Sequence, residues 1–440
     1  MSDAPFTQLD TAGIARALSQ IADRPSDLAD VFFERSETIE LPPASQAPGF
    51  RVWREAGLAV RLVREGRSWL AGRDHIGPRT FNDALRRVAR AMPRAPYPEP
   101  ELAAEPWDEA PEASEVLTFP TTLTRALRTH HVDFSIDLTL RRHRRWTRVV
   151  GTQLASGTES ENFYSCDVEM PWGRYGTLLE AFDGESAEDL ARRLVNLYRA
   201  RDATPPDAWR GVSILGASAT AILLHEAVAH ALEADTLAHS GHPEAALGVR
   251  MGSRLLDVFD DPASAPEGVK RAADDEGFPV VRRCLLRSGV IEQPLCDTAW
   301  ARRSDRLTAG AGRRGNRHLA PGPRSSHLEL VPGELSRQEL FADAEGGLYL
   351  PEADRGHLDP ITSEFALHFP YGHRISHQIP GEPIGPCWLK GGLRDLLDKI
   401  CGIGAQSKPA GAGWCAKDGI KLPVWATCPE IRVEGVEITP

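Results

Sequence analysis

His225-Glu226-Ala227-Val228-Ala229-His230 joins two imidazoles to a carboxylate that directly follows the first of them. A hydrolytic zinc site needs this set: neutral imidazoles hold the ion, and the carboxylate takes a proton from a water beside it. The spacing is unusual. Histidines four apart lie roughly 40° from each other around an α-helix and share a face, whereas five apart they lie roughly 140° from each other. For both to bind one ion, the helix has to carry a π-type turn, overwind or break between Glu226 and Ala229. The plain alternative is a regular helix with one buried histidine, one exposed histidine and a solvated Glu226.

Two imidazoles leave a zinc ion short of a third protein ligand, besides the position kept open for water. Glu233, Asp235, His239, His242 and several cysteines are available. Glu233 and Asp235 are close enough in sequence to bind, or to orient a histidine from behind. His239 and His242 lie just beyond the helix and compete with them. The elements that position this group begin with a strand, Gly211 to Gly216. Ser218 and Thr220 follow, either of them able to cap the helix.

The run from His225 to Asp235 resembles the signature helix of the TldD/PmbA family, whose TldD-type members carry HExxxH while their PmbA (TldE) partners generally do not. The likeness continues through Asp274-Asp275-Glu276-Gly277, Cys284 to Ile291, Gly315-Asn316-Arg317 and Gly347-Leu348-Tyr349. It closes with Trp414-Cys415-Ala416-Lys417-Asp418-Gly419, similar to the family's terminal CGKDG segment, followed by Leu422-Pro423-Val424. Residues 205–440 are covered well, and the first part of the chain more loosely.

The resemblance implies a Zn2+ metallopeptidase with His225, His230 and Cys415 as metal ligands and Glu226 as general base. It further implies extended or unfolded peptide substrates, taken up for proteolysis or for maturation of ribosomally made peptides. A dimer is implied too, formed with a PmbA/TldE-like paralogue or with a second copy. The alternative is a non-catalytic partner or scaffold subunit whose metal is structural or absent. Ala229 stands where the family usually has a Gly that would ease a distorted backbone. Ala416 replaces a common Gly, and Val433-Glu434-Gly435-Val436 alters a VGG-like tail. Cys401 and Cys428 match nothing in the family and read as buried thiols.

A chain of 440 residues exceeds one core, so two domains are expected. Residues 1–204 form an N-terminal α/β domain of mixed strands and helices, with a Pro-rich connector at 95–114. Residues 205–440 form a β-rich domain carrying the metal-site helix, and the whole is α+β. Helical spacing marks 11–22, 80–92, 121–131, 186–200 and 391–400. Strands are expected at 30–35, in a hairpin at 57–63 and 67–71, across 133–180, at 280–286 running on to a Ser288-Gly289 turn, and at 430–438.

The charge balance, 51 basic against 62 acidic residues for a net −11, argues against a nucleic-acid binder. One run departs from it: Arg141 to Arg145 with Trp146 is either a nucleic-acid contact or the solvent face of a strand. The Arg- and Gly-rich stretch 301–325 is long enough for a functional loop. Its arginines either grip a substrate or stand in solvent. No apolar run approaches the roughly 20 residues needed to span a membrane. The first residues lack a signal-peptide core, and seven cysteines without CxxC pairs argue against a disulfide framework. A soluble cytoplasmic setting is expected.

Overall fold

Strand β1 (Leu28–Leu41) carries two chemistries on its two faces. Ala29, Val31, Phe33 and Ile39 point one way and Asp30, Phe32 and Glu34 the other, and all are buried. Both faces are therefore covered. The computed structural model describes residues 6, 9–46, 49–90, 107, 110–132, 134–239, 241, 243–359 and 362–440. In it β1 lies inside an antiparallel sheet with β2 (Arg51–Arg64), β3 (Arg67–Asp74), β4 (Asp137–Gly151), β5 (Ala155–Met170) and β6 (Gly173–Leu179). The spatial order is β3-β2-β1-β4-β5-β6.

Four helices cover the apolar face. Helices α1 (Thr11–Leu18) and α2 (Pro78–Ala89) bury Ile14, Leu18, Phe81 and Leu85 against Val31, Phe33 and Val60. Helices α3 (Ser114–Thr129) and α4 (Gly184–Ala200) bury Phe119, Leu123, Leu190 and Leu194 against Ile39, Leu140 and Cys166. Helix α3 starts seven residues before the expected 121, with Pro120 inside it. Burial of Val116 and Phe119 outweighs the hydrogen bond that Pro120 removes. Helix α1 stops at Leu18, although Ile21 beyond it is still buried. Most of the Pro-rich connector lies outside the described residues.

The other face of the sheet is covered by residues 271–317, and here the contacts are ionic. Arg61 bridges Asp30 and Glu276, and all three side chains are essentially fully buried. Arg314 reaches Asp30 at 3.0 Å, and Arg145 reaches Glu34 at 2.8 Å. Glu161 takes Arg271 at 2.8 Å and Arg313 at 3.1 Å, and Arg271 also reaches Asp275 at 2.5 Å. Arg317 binds Glu34, Glu55 and Asp74. Of the buried arginines in the 301–325 stretch, Arg313, Arg314 and Arg317 thus stand neither in solvent nor free; they fasten this segment to the six-stranded sheet, while Arg324 pairs with Asp235. The Arg141 to Arg145 run is a partly exposed strand face whose arginines pair with acids of the same N-terminal part. Arg141 pairs with Glu40 and Asp167, Arg142 with Glu115, and Arg144 with Glu37.

A second sheet has thirteen strands among the described residues. Its centre holds β7 (Trp209–Leu215), β8 (Leu348–Leu350) parallel to it, and β12 (Ile420–Thr439) antiparallel to it. Strand β12 starts ten residues before the expected 430, because Asp418-Gly419, both at positive φ, turn it back on β11 (Ile400–Lys417) as a hairpin. At one side β9 (Arg355–Leu358) pairs with β10 (Glu364–Phe369). The expected last helix spans Leu393–Asp398. The fold is α+β. Among the described residues no helix is long and apolar enough to cross a membrane.

Candidate metal centre

Strand β7, paired on both sides, delivers the chain to Gly216, which caps helix α5 (Ala217–Leu224). No side chain caps this helix, so neither Ser218 nor Thr220 has the expected role. Glycine is required at 216 because a Cβ there would strike the Pro351 carbonyl oxygen. Helix α5 is apolar nearly all round, as a helix buried on every side must be. Leu223, Leu224, Ala227, Val228 and Ala229 are fully buried. His225, Glu226 and His230 are the polar residues of the turns that follow helix α5.

The five-residue spacing is accommodated by a π turn over His225–Ala229, in which the His230 N–H donates to the His225 carbonyl. The wider turn brings residue i+5 back toward the side of residue i. Ala229 takes ordinary right-handed helical angles, φ −63° and ψ −56°, so the turn needs no glycine. A 3-10 turn follows over His230–Leu232, and the helix breaks at Glu233, where ψ is 132°.

The two imidazole centroids lie 4.5 Å apart. Cys415, on β11, places its Sγ 3.3 Å from His230 Nε2. One ligand atom from each of His225, His230 and Cys415 falls within 4.8 Å of the others. Both ring nitrogens of His225 are buried with no hydrogen-bond partner. Burial, with His230 beside it, pushes His225 down to about 3, so it is a neutral imidazole with a free lone pair. An orphaned imidazole next to a second imidazole and a thiol fits a zinc ion, which takes N and S ligands and keeps a fourth position open.

His230 is held from behind. Its Nδ1 lies 3.1 Å from both carboxylate oxygens of Glu233, so Nδ1–H donates to Glu233 and Nε2 turns to Cys415. Burial alone would disfavour the imidazolium, but Glu233 and Cys415 push His230 up to about 11. A metal has to displace that proton, which makes binding pH-dependent. Lys417 Nζ lies 2.6 Å from Glu233 and 2.9 Å from Asp235, and Arg324 lies 3.0 Å from Asp235. Burial opposes ionisation of Glu233, yet His230, Arg324 and Lys417 hold its carboxyl below the usual range.

Glu233 and Asp235 are therefore engaged by cations. His239 sets its Nδ1 3.1 Å from the Thr236 carbonyl, and His242 lies outside the described residues. Two participants escape the motif itself. Lys417 stands two positions after Cys415, on the same side of an extended strand, and that parity is its signal. Arg324 gives none. Cys428 is buried as expected, whereas Cys401 is exposed.

Glu226 sits over the same group. Burial raises its pKa against the opposing pull of His230 and His357. Strand β9 runs across it, and Gly356 leaves space for the Glu226 side chain, because a Cβ there would collide with Glu226 Cγ. A cleft of about 420 Å³ opens above His225 and Glu226, walled by Arg174 to Thr177 of β6, Arg355 and Gly356 of β9, and Trp414. Among the described residues, strand β6 pairs only with β5 and β9 only with β10, so two sheet edges meet the cleft. Tyr175, Arg193 and Glu352 form one side, with the Tyr175 hydroxyl donating to Glu352 at 2.5 Å.

A Methanothermobacter thermautotrophicus metalloprotease is 28% identical over 59% of this chain and 57% of its own. A Haemophilus influenzae protein named a metalloprotease TldD homolog is 27% identical over 60% of this chain and 56% of its own. The chain thus matches little more than half the length of these relatives. The crystal structure of TldE from Thermococcus kodakarensis superposes with a TM-score of 0.73 at 15% identity, covering 97% of this chain and 100% of that one, which shows a shared fold. The profile of the PmbA/TldA metallopeptidase C-terminal domain matches residues 212–440, more than half of the chain and the part that carries His225, Glu226, His230 and Cys415. On that match the chain belongs to the PmbA/TldD metallopeptidase family.

Proposed function

We propose that this chain is a zinc-dependent peptidase that hydrolyses extended or unfolded peptides, with His225, His230 and Cys415 as metal ligands and Glu226 as general base. The observation that carries the proposal is the convergence of those three ligand atoms within 4.8 Å, one of them from His225, which lines a cleft together with Glu226. The relatives named metalloproteases support it. A bound zinc ion supplies Lewis acidity toward a carbonyl and lowers the pKa of water.

The chain's own groups do the rest. Glu226 takes the proton of the attacking water and returns it to the leaving amine, and its raised pKa suits both transfers. Glu233 fixes the His230 tautomer, with Lys417 and Arg324 neutralising the buried acids. The edges of β6 and β9 offer backbone groups to an extended peptide, and main-chain pairing of this kind accepts many sequences.

Residues 1–204 and 205–440 act as two domains in this reading. The chain works in the cytoplasm as a dimer, with a PmbA/TldE-like paralogue or a second copy. Light scattering on the active protein tests the dimer; a fully active monomer rejects it.

The decisive experiment pairs metal analysis with peptide hydrolysis. The purified protein is expected to carry about one zinc per chain and to lose hydrolysis on chelation. Glu226→Gln should keep the zinc and lose hydrolysis by a factor of at least about 10². Near-parental cleavage by Glu226→Gln would remove Glu226 from the chemistry. Protein that holds zinc yet cleaves no peptide would favour the scaffold reading.

A further inference from the structure

Beside the metal-site helix lies a second cavity that the chemistry above does not use. Its volume is about 280 Å³, just under the roughly 300–1,000 Å³ usual for small-molecule pockets. It suits a single side chain. The helix segment just after His230 supplies Ala231, Leu232 and Leu237, the segment past the helix supplies Ala246 and Val249, and β9 supplies Leu358. The polar groups Asp359 and Arg394 also border it.

Its place on β9 gives the pocket meaning. The Cβ direction of Gly356 points at Glu226, since a methyl group there would collide with Glu226 Cγ. Leu358 is two residues further along the same strand, so its side chain leaves on the same face, roughly 7 Å away. The face of β9 that meets the general base therefore also meets the apolar pocket. A peptide paired with the β9 edge would send the side chain opposite Gly356 toward Glu226. The side chain two residues along the peptide would go toward the pocket, because cross-strand neighbours share a face.

We infer that this cavity is a substrate subsite for one large apolar side chain, two residues along the peptide from the residue that lies opposite Gly356. The inference rests on the peptidase reading of the cleft. It names what that reading leaves open: main-chain pairing holds the peptide, and the pocket sets which bond lies over Glu226.

The test uses the full-length protein and matched extended peptides in which each position in turn is Leu, Ala or Ser, with cleavage sites mapped by mass spectrometry. One position should show a Leu-over-Ser preference of about ten-fold or more. Val249→Asp should collapse that ratio toward one by putting a charge in the pocket. Ala246→Phe, which fills the pocket while keeping it apolar, should turn the preference from Leu toward Ala. Metal-dependent cleavage with no apolar preference, or a preference that neither variant moves, overturns the subsite. Binding of the same peptides to Glu226→Gln, read by fluorescence anisotropy, separates the two readings if no peptide is cleaved. Tighter binding of the Leu peptide that Val249→Asp abolishes supports the pocket even then. Equal binding of both peptides, or none, rejects it.

Discussion

His230 is addressed from both ring nitrogens, with Glu233 on Nδ1 and Cys415 facing Nε2. Removing either neighbour therefore has a distinct consequence. Cys415→Ala deletes a proposed ligand and should lower zinc occupancy itself. Glu233→Gln leaves the ligand set intact but loosens the ring, and should weaken zinc affinity by about 10- to 100-fold. Zinc titration against a chelating indicator measures both, and full occupancy in Cys415→Ala would move the third ligand elsewhere. Residue types alone offer His225, Glu226 and His230 as a set suited to metal-assisted hydrolysis. They leave the third ligand open among acids, histidines and cysteines. Those acids are eliminated only by cations distant in sequence, Arg324 and Lys417, which occupy them.

At the scale of elements, one turn carries the proposed site. Strongly helical residues surround the histidines, and local propensity alone would continue the α-helix through them. Five-residue spacing and a shared ion are incompatible with that helix, so a distortion could be read from the sequence, but not whether it was a π turn, an overwound turn or a break. The cause is tertiary: Ala227, Val228 and Ala229 are packed on every side. Strand β9 closes over the turn, and no sequence signal announces it, because a four-residue strand flanked by Asp354 and Asp359 has no distinctive pattern. Its Gly356 is the weak point. Gly356→Ala should displace Glu226 while leaving the three ligands in place. Zinc content should be retained and kcat should fall by about ten-fold or more. A variant with parental kcat would show that Glu226 does not need the space that Gly356 leaves.

Across the whole molecule, what fastens the six-stranded sheet to residues 271–317 is ionic. That could not be read in sequence, since Arg314 and Asp30 stand 284 positions apart and a run of arginines resembles a solvated or nucleic-acid face. The apolar alternation of β1 was readable; the reason for its acidic alternate face was not. Asp275 is the sharpest test of this interface. Burial alone would raise its pKa, but Arg271, Arg145 and Arg313 outweigh burial and hold it well below the ordinary 3.8. A carboxyl whose folded pKa is depressed contributes stability above its unfolded pKa and loses it as pH falls toward the folded value. Asp275→Asn should therefore cost about 3–5 kcal/mol near neutral pH, since it strands buried arginines. The difference from the parent should shrink as pH drops from about 5 toward 2, because the unfolded chain's carboxyl takes up a proton there while the folded one stays ionised. Urea unfolding at a series of pH values reads both quantities. A deficit that stays constant across that range would mean that the arginines do not hold Asp275 ionised, and that the interface depends on shape rather than charge.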